Sequence, residues 1–409
     1  MNRGPKRFVF QPVSILTFIA LALLFWGCGK QADTIVFNGA VVTVDSGDRI
    51  VEAMAIQGDR ILKVGSDEEI MALKGPETEI IDLKGKAVLP GLIDSHTHPT
   101  GASMFEFDHE VPEMLTIQDV LSYIRGRAAV VPEGEWIVLQ QVFITRLKEQ
   151  RYPTRSELDQ VAPNHPVIFR TGPDASMNSL ALAHFNIDAN YNEPSGTKIE
   201  REEATNKPTG IVRGWSAIIK LPPTGKTPTH QDRYDRLLML FKDYNSVGIT
   251  SIADRNCPNE SMDLYQEMFD NQELPLRLSM SRQVGYVQSA ESIKSQVEEI
   301  SREPLFTNGT PMLKTVGIKM FMDGGMLTGS AYMREPWGVS EIYGIDDPEY
   351  RGLRFIPEEK LITAVRTCVE NGLQFTAHCV GDGAVYTLID AYEEVGQNLD
   401  IKPTRPNIT

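Results

Sequence analysis

Between residues 33 and 90, short apolar runs alternate with turn residues: Ile35 to Phe37, Val41 to Val44, Ala53 to Ile56 and Ile61 to Val64, interrupted by Asn38-Gly39 and Gly58-Asp59. Brief apolar stretches closed by such pairs predict strands and hairpin turns, so 33–88 reads as a small β domain. At 88–98 the character changes. Val88-Leu89-Pro90-Gly91-Leu92-Ile93 is an apolar run that ends in Asp94-Ser95-His96-Thr97-His98. A buried strand with a polar C-terminal end is what a parallel barrel offers at its catalytic mouth.

From about residue 229 the pattern alternates between the period of a helix and that of a strand. Thr229 and Asp232 resemble a capping pair ahead of Tyr234, Leu237, Leu238, Phe241 and Tyr244, and Gly248 ends that helix. Ile249 to Ala253 then predicts a strand ending at Asp254. The unit repeats. Met262, Tyr265, Met268 and Phe269 mark a helix, and Leu276, Leu278 and Met280 a strand; Ile293, Val297 and Ile300 mark the next helix, followed by a strand from Val316 to Met322. Pro357 opens a helix carrying Leu361, Val365, Cys368 and Val369, Asn371-Gly372 closes it, and Leu373 to His378 is again a strand. Such alternation predicts an α/β fold with a parallel sheet, and its length favours a TIM-type (β/α)8 barrel over a doubly wound sheet. Residues 99–228, rich in Pro, Gly, Asn and acidic side chains, fit the alternation poorly. They read as a large insertion after the first barrel strand, of the kind that shapes substrate access, within a hydrolase barrel assigned to 89–409.

Composition narrows the function classes. The 409 residues are 41% hydrophobic and 23% charged, which excludes disordered, collagen-like and coiled-coil readings. Lys plus Arg number 40 against 55 Asp plus Glu, a net charge of −15, and no dense basic run occurs, so a nucleic-acid partner is not expected and a small-molecule substrate is. Cys28, Cys257, Cys368 and Cys379 are too few and scattered for a disulfide scaffold or a paired-cysteine zinc site.

Cys28 stands apart. Arg3, Lys6 and Arg7 precede an apolar stretch from Val13 to Trp26 and then Gly27, the layout of a secretory signal over 1–28. With Cys28 as the first residue after cleavage the pattern resembles a bacterial lipoprotein box, Phe25 standing where Leu is usual. The expectation is an exported chain lipidated at Cys28 and anchored to a membrane on its periplasmic or extracellular side. Two alternatives are an uncleaved signal anchor, since Phe8 to Gly27 offers about the ~20 residues of a bilayer crossing, and a soluble periplasmic enzyme.

Histidines at i and i+2 of a strand point to the same side, so His96 and His98 can both reach one ion at the barrel mouth, and neutral imidazoles suit zinc. Two histidines in a polar turn are the bland alternative. Lys319 sits inside Val316-Gly317-Ile318-Lys319-Met320-Phe321-Met322, where an ammonium would be desolvated at a cost of several kcal/mol unless it is paired or chemically changed. A salt bridge to Asp323 or another carboxylate would answer this. Carbamylation by carbon dioxide would also answer it, and would turn a cation without a lone pair into a carboxylate able to bridge two metals. His378 ends the apolar strand that begins at Leu373, again at a C-terminal edge. His109, His165, His184 and His230 read as structural or surface groups.

The chain from about 33 to 409 resembles the amidohydrolase superfamily, and within it the YtcJ-like branch called amidohydrolase family 3. The resemblance is carried by Leu89-Pro90-Gly91-Leu92-Ile93-Asp94-Ser95-His96-Thr97-His98, Pro153-Thr154-Arg155 with Leu158-Asp159 and Ala162-Pro163, Asn178-Ser179, Pro208-Thr209-Gly210, Gly248-Ile249-Thr250-Ser251, Ile318-Lys319 with Asp323-Gly324, and Ala377-His378 with Gly381-Asp382. It implies a β domain split across both termini, with 33–88 as its N-terminal part. It also implies one or two zinc ions held by His96, His98, Lys319 as a carbamylated bridge and His378, with Lys319 and Asp323 counted among the catalytic residues.

Three departures matter. Trp136-Ile137 leads to Gln140-Gln141-Val142-Phe143 where the family tends to a Gly-Trp-Asp-like stretch, and Gly172-Pro173 stands where a Gly-His-like pair is expected. The family continues through strand six with another ligand histidine and strand eight with a base aspartate, whereas this chain stops at Arg405-Pro406-Asn407-Ile408-Thr409. The resemblance therefore implies a truncated barrel of about five strands, expected to fold poorly and to be inactive as it stands.

The function implied is hydrolysis of a carbon–nitrogen bond in a small amide or cyclic amide, not a peptide, by metal-activated water. Alternatives are a truncated or decayed lipoprotein that binds metal or ligand without catalysis, and deaminase chemistry on the same scaffold. The leader generates a test. In a bacterial host the wild type should partition with membranes and take up a lipid label that Cys28→Ala does not; a labelled variant or a soluble wild type would argue against the anchor.

Overall fold

The computed structural model describes Met1 and residues 31–140 and 142–409. The apolar leader Val13 to Trp26 and the lipidation candidate Cys28 lie outside the described residues, as does Gln141. Two compact units are formed, Met1–Gly91 and Leu92–Thr409.

In the first unit β1 (Ala32–Phe37), β2 (Ala40–Val42), β3 (Ile50–Val51), β4 (Ala53–Gln57), β5 (Arg60–Gly65), β6 (Lys74–Asp82) and β7 (Ala87–Val88) form two sheets, ordered β5-β4-β1-β6 and β3-β2-β7. Asn38, at φ 58, takes the left-handed conformation that the Asn-Gly turn demands. A helix at Asp67–Met71, opened by a Ser66–Glu69 capping box, buries Ile70 with Ile35, Ala53 and Ala55.

The second unit is built on a parallel sheet. Its first strand is β8 (Leu92–Thr97). The insertion supplies β9 (Ile137–Leu139), β10 (Val167–Thr171), β11 (Asp174–Met177), β12 (Lys198–Arg201) and β13 (Pro208–Arg213). The parallel sheet then resumes with β14 (Ile249–Cys257), β15 (Arg277–Gln283), β16 (Leu313–Phe321), β17 (Gln374–His378) and the two-residue β18 (Asn407–Ile408), in the order β18-β17-β16-β15-β14-β8. Parallel neighbours need crossovers, and helices His230–Ser246, Asn259–Asp270, Ala290–Ile300, Glu358–Glu370 and Asp382–Gly396 supply them. The helix after Thr229 begins with the anticipated capping box, Thr229 and Asp232 each accepting from the other's backbone N–H. Apolar positions of these helices close the core: Ile293, Val297, Leu361, Val365, Cys368 and Leu388 pack with Ile318, Met320, Phe375 and Ala377 of the strands.

Two expectations change. The first barrel strand is not buried: Leu92 and Ile93 are 60% and 72% exposed. β8 pairs only with β14, so among the described strands none flanks its other edge. The insertion, which showed no clear pattern, is a mixed five-stranded sheet ordered β12-β13-β11-β10-β9. One face carries the core of helices Ile117–Ala128 and Arg155–Val161, and the other packs Trp136, Ile168, Met177, Leu182 and Trp215. The strands β10 and β11 are short and buried on both faces, so they carry no alternation to read.

Leu388→Ala should cost about 2–5 kcal/mol, read from the denaturant midpoint at constant slope, because the side chain is fully buried in the core under the sheet. A loss below about 0.5 kcal/mol would show that the helix Asp382–Gly396 is not held by that contact.

Candidate metal centre

Parallel pairing puts the C-terminal ends of the strands on one rim. Thr97 lies opposite Asp254, Gln283 opposite Lys319, and Phe321 opposite His378. Thr97 turns inward and donates its Oγ1 hydrogen to Ala253 O at 3.2 Å. Side chains alternate along a strand, so His96 and His98 turn the other way. Their rings stand edge to face with centroids 5.2 Å apart.

Burial, then repulsion of its cationic form by Lys319 and Arg255 and by the neighbouring His98 and His378, pushes His96 down to about 4, so its imidazole is neutral at physiological pH. His98 Nδ1 is 3.6 Å from Asp254 Oδ1. Asp254 is itself fixed by Tyr265 OH at 2.9 Å and Asn256 N at 3.0 Å.

Lys319 is only 1% exposed. Its Nζ donates to Thr409 Oγ1 at 2.8 Å and lies 5.3 Å from the Phe321 ring centre. The salt bridge to Asp323 that could have explained this lysine does not form, because that carboxylate is spent elsewhere. Burial and the Arg255 charge push the ammonium down to about 8. Roughly a tenth of the side chains then carry a free amine at neutral pH.

Asp323, expected among the catalytic residues, is held by backbone donors. Its Oδ2 accepts from the backbone N–H of Tyr332 at 2.9 Å and Gly381 at 2.7 Å, and its Oδ1 accepts from that of Val380 at 3.0 Å. Burial pushes its carboxyl up to about 6 against the pull of these three donors. A carboxylate at a strand end between two loops is captured by their unpaired amides, and it anchors those loops. His378 Nε2 stands 3.2 Å from Gly324 O, and burial lowers its pKa. Donation of the Nε2 proton to that carbonyl leaves the lone pair on Nδ1, the arrangement in which metal-binding histidines are usually held.

Among the described residues no group of three or more His, Cys, Asp or Glu converges on a point where it could hold an ion unaided. The rim instead offers the pair His96 and His98, and beyond it Lys319 and His378 on the neighbouring strands β16 and β17. The donor chemistry fits a zinc-like ion: imidazoles, one backed by a backbone carbonyl and one near a buried carboxylate.

Asp254 and Arg255 went unnoticed as site residues. Arg255 reaches across the sheet to Ser95 O at 3.0 Å, Ser281 Oγ at 3.2 Å and Gln374 Oε1 at 2.9 Å. The signal that marked His96 and His378, a polar residue closing an apolar strand, was present at Ile249 to Asp254 as well. The remaining histidines do structural work: His109 bonds Asp108 and Tyr123, His165 bonds Glu135 O, His230 bonds Glu267, and His184 packs edge-on to Trp136.

Residues 79–407 match the amidohydrolase family. The chain belongs to that family. Among its relatives, N-substituted formamide deformylase of Arthrobacter pascens is 28% identical over 378 residues, 90% of this chain and 66% of that protein. YtcJ of Bacillus subtilis is 26% identical over 372 residues, 87% of this chain and 65% of that protein. The chain thus spans about two thirds of these curated relatives. Uncharacterized metal-dependent hydrolases from Pyrococcus furiosus and Pyrococcus horikoshii share the fold, with TM-scores of 0.55 and 0.56 at 23% and 20% identity. They cover 89% of this chain each, and 70% and 68% of their own.

Within this family member the Gly172-Pro173 departure forms the tip of the β10–β11 hairpin, with Gly172 at φ 71. Trp215 holds it, donating its indole N–H to Gly172 O and its backbone N–H to Pro173 O, both at 3.1 Å. A Cβ on Gly325 would lie 3.4 Å from the Pro173 ring, so the tip rests against the loop that follows β16.

Asp323→Asn should destabilise the protein by about 1.5–3 kcal/mol, because an amide nitrogen then faces at least one backbone donor. The denaturation midpoint measures this. An unchanged midpoint would show that the three bonds contribute nothing.

Proposed function

We propose that this chain carries the metal-binding part of a hydrolase that cleaves carbon–nitrogen bonds other than peptide bonds, in a small amide or cyclic amide. The observation that carries the reading is the rim itself, where His96, held neutral by burial and nearby positive charge, shares the C-terminal edge of one parallel sheet with His98, His378 and buried Lys319. In this reading one or two zinc ions are held by His96, His98, His378 and Lys319, the lysine as its carbamate. A bound zinc ion supplies Lewis-acid polarisation of a carbonyl and lowers the pKa of a water molecule towards ~7.

The protein's own groups contribute positioning. Gly324 O keeps His378 in one tautomer, Asp254 stands beside His98, and Arg255 ties the backbone at Ser95, one residue before His96, to β15 and β17. Arg255 also holds a positive charge near Lys319, which favours the free amine that carbamylation requires. Similarity to a formamide deformylase supports carbon–nitrogen cleavage as the reaction class. In the same proposal the protein is exported and attached to a membrane through a lipid on Cys28; among the described residues no helix is long and apolar enough to cross a membrane.

Elemental analysis of the purified protein should find one or two zinc-like ions per chain, and His96→Ala with His98→Ala should remove metal. Equal metal in wild type and double variant would end this assignment. Metal without hydrolysis of any N-substituted formamide or cyclic amide tested would favour the binding-only alternative.

A further inference from the structure

Arg213 closes β13 in the insertion and is completely buried, yet no step of the hydrolytic reading uses it. Its Nη1 donates to Thr328 O at 2.9 Å, its Nη2 to Tyr343 O at 2.5 Å and Gly344 O at 3.4 Å, and its Nε to the Glu200 carboxylate. Asp174, also fully buried, lies 3.6 Å from Nη1 and accepts the Gly214 N–H at 3.2 Å. Tyr152 OH adds a second donor to Thr328 O at 3.2 Å. A guanidinium is buried at great cost unless each donor is met, and here two carboxylates and three carbonyls meet it. The insertion therefore grips the loop after β16 at Thr328 and again at Tyr343 and Gly344.

That grip is passed on through a short knot. Gly325 N donates to Ser330 Oγ at 3.0 Å, Ser330 N returns to Gly325 O at 3.0 Å, and Thr328 Oγ1 donates to the same carbonyl at 3.2 Å. Gly324 has no slack either, since a Cβ there would fall 2.2 Å from Ser330 Oγ. Gly324 O is the carbonyl that faces His378 Nε2.

We propose that Arg213 is a positioning residue for His378: through Thr328 and the Gly325–Ser330 knot it holds the Gly324 carbonyl where it takes the Nε2 proton and leaves Nδ1 free. The consequence for metal binding rests on the proposed function, whereas the orientation of the ring is a property of the protein without metal.

The full chain, labelled with 15N-histidine and stripped of metal by a chelator, allows the two to be separated. Long-range 1H–15N spectra should show His378, identified by the loss of its signal in His378→Gln, as one tautomer with a slowly exchanging Nε2–H. In Arg213→Lys that proton should exchange at least tenfold faster or the tautomers should mix. Tyr152→Phe, which removes one donor to Thr328 O and keeps the cation, should move the signal in the same direction if the lysine variant fails to fold. Arg282→Lys disturbs a comparably buried cation, bonded to Glu303, Asn259 and Cys257 O, and should lower stability while leaving the His378 signal unchanged. A His378 signal untouched by Arg213→Lys and Tyr152→Phe, or equally altered by Arg282→Lys, would overturn the proposal. Zinc titration of the same wild-type sample reads the ligand assignment independently.

Discussion

Parallel hydrogen bonding between strands that must each be reached by a crossover is the constraint on which the site depends. Antiparallel strands would send successive C-terminal ends to opposite edges. Parallel strands send them all to one edge, so residues as distant in sequence as His96, Asp254, Lys319 and His378 meet on a single rim. The helices that make the crossovers also seal the outer face of the sheet, through Leu361, Val365 and Leu388 among others. The same core that stabilises the chain therefore fixes the rim.

The electrostatics of the rim follow from its unequal charges. Lys319 and Arg255 bring positive charge next to His96, and Lys319 next to His378, while the two nearby carboxylates, Asp254 and Asp323, are buried and committed to Tyr265 and to backbone amides. Burial and mutual repulsion act in the same direction and drive His96 and Lys319 towards their neutral forms. Neutral imidazoles and a neutral amine are the forms with lone pairs to offer.

The insertion braces this scaffold at the mouth. Its hairpin tip at Gly172-Pro173 rests on Gly325, and its buried Arg213 grips Thr328. The loop after β16 is thus pinned on one side by the insertion and on the other by Asp323, which bonds the N–H groups of Tyr332, Val380 and Gly381. A loop held from both sides sets the carbonyl that faces His378. Changes in the insertion can therefore reach the rim without touching any group on it.

The sequence by itself determined the alternation of helices and strands after residue 229, the class of fold, and the position of His96, His98, Lys319 and His378 at strand ends or within apolar strands. Each of these is written in local periodicity or in a charged residue that an apolar run cannot tolerate unexplained. Helix Glu358–Glu370 and strand β17 could be read because their apolar positions recur at regular intervals. The structure alone decided that the insertion is a sheet, because its strands are short and two of them, β10 and β11, bury both faces and show no period. It decided that Leu92 and Ile93 are exposed, because exposure depends on whether a neighbouring strand is present and not on the strand's own residues. It also gave Asp323 to the backbone of three loop residues and Arg213 to the carbonyls of Thr328, Tyr343 and Gly344. A buried polar group goes to whichever partners the fold brings within reach, and those partners lie 9 to 131 positions away along the chain.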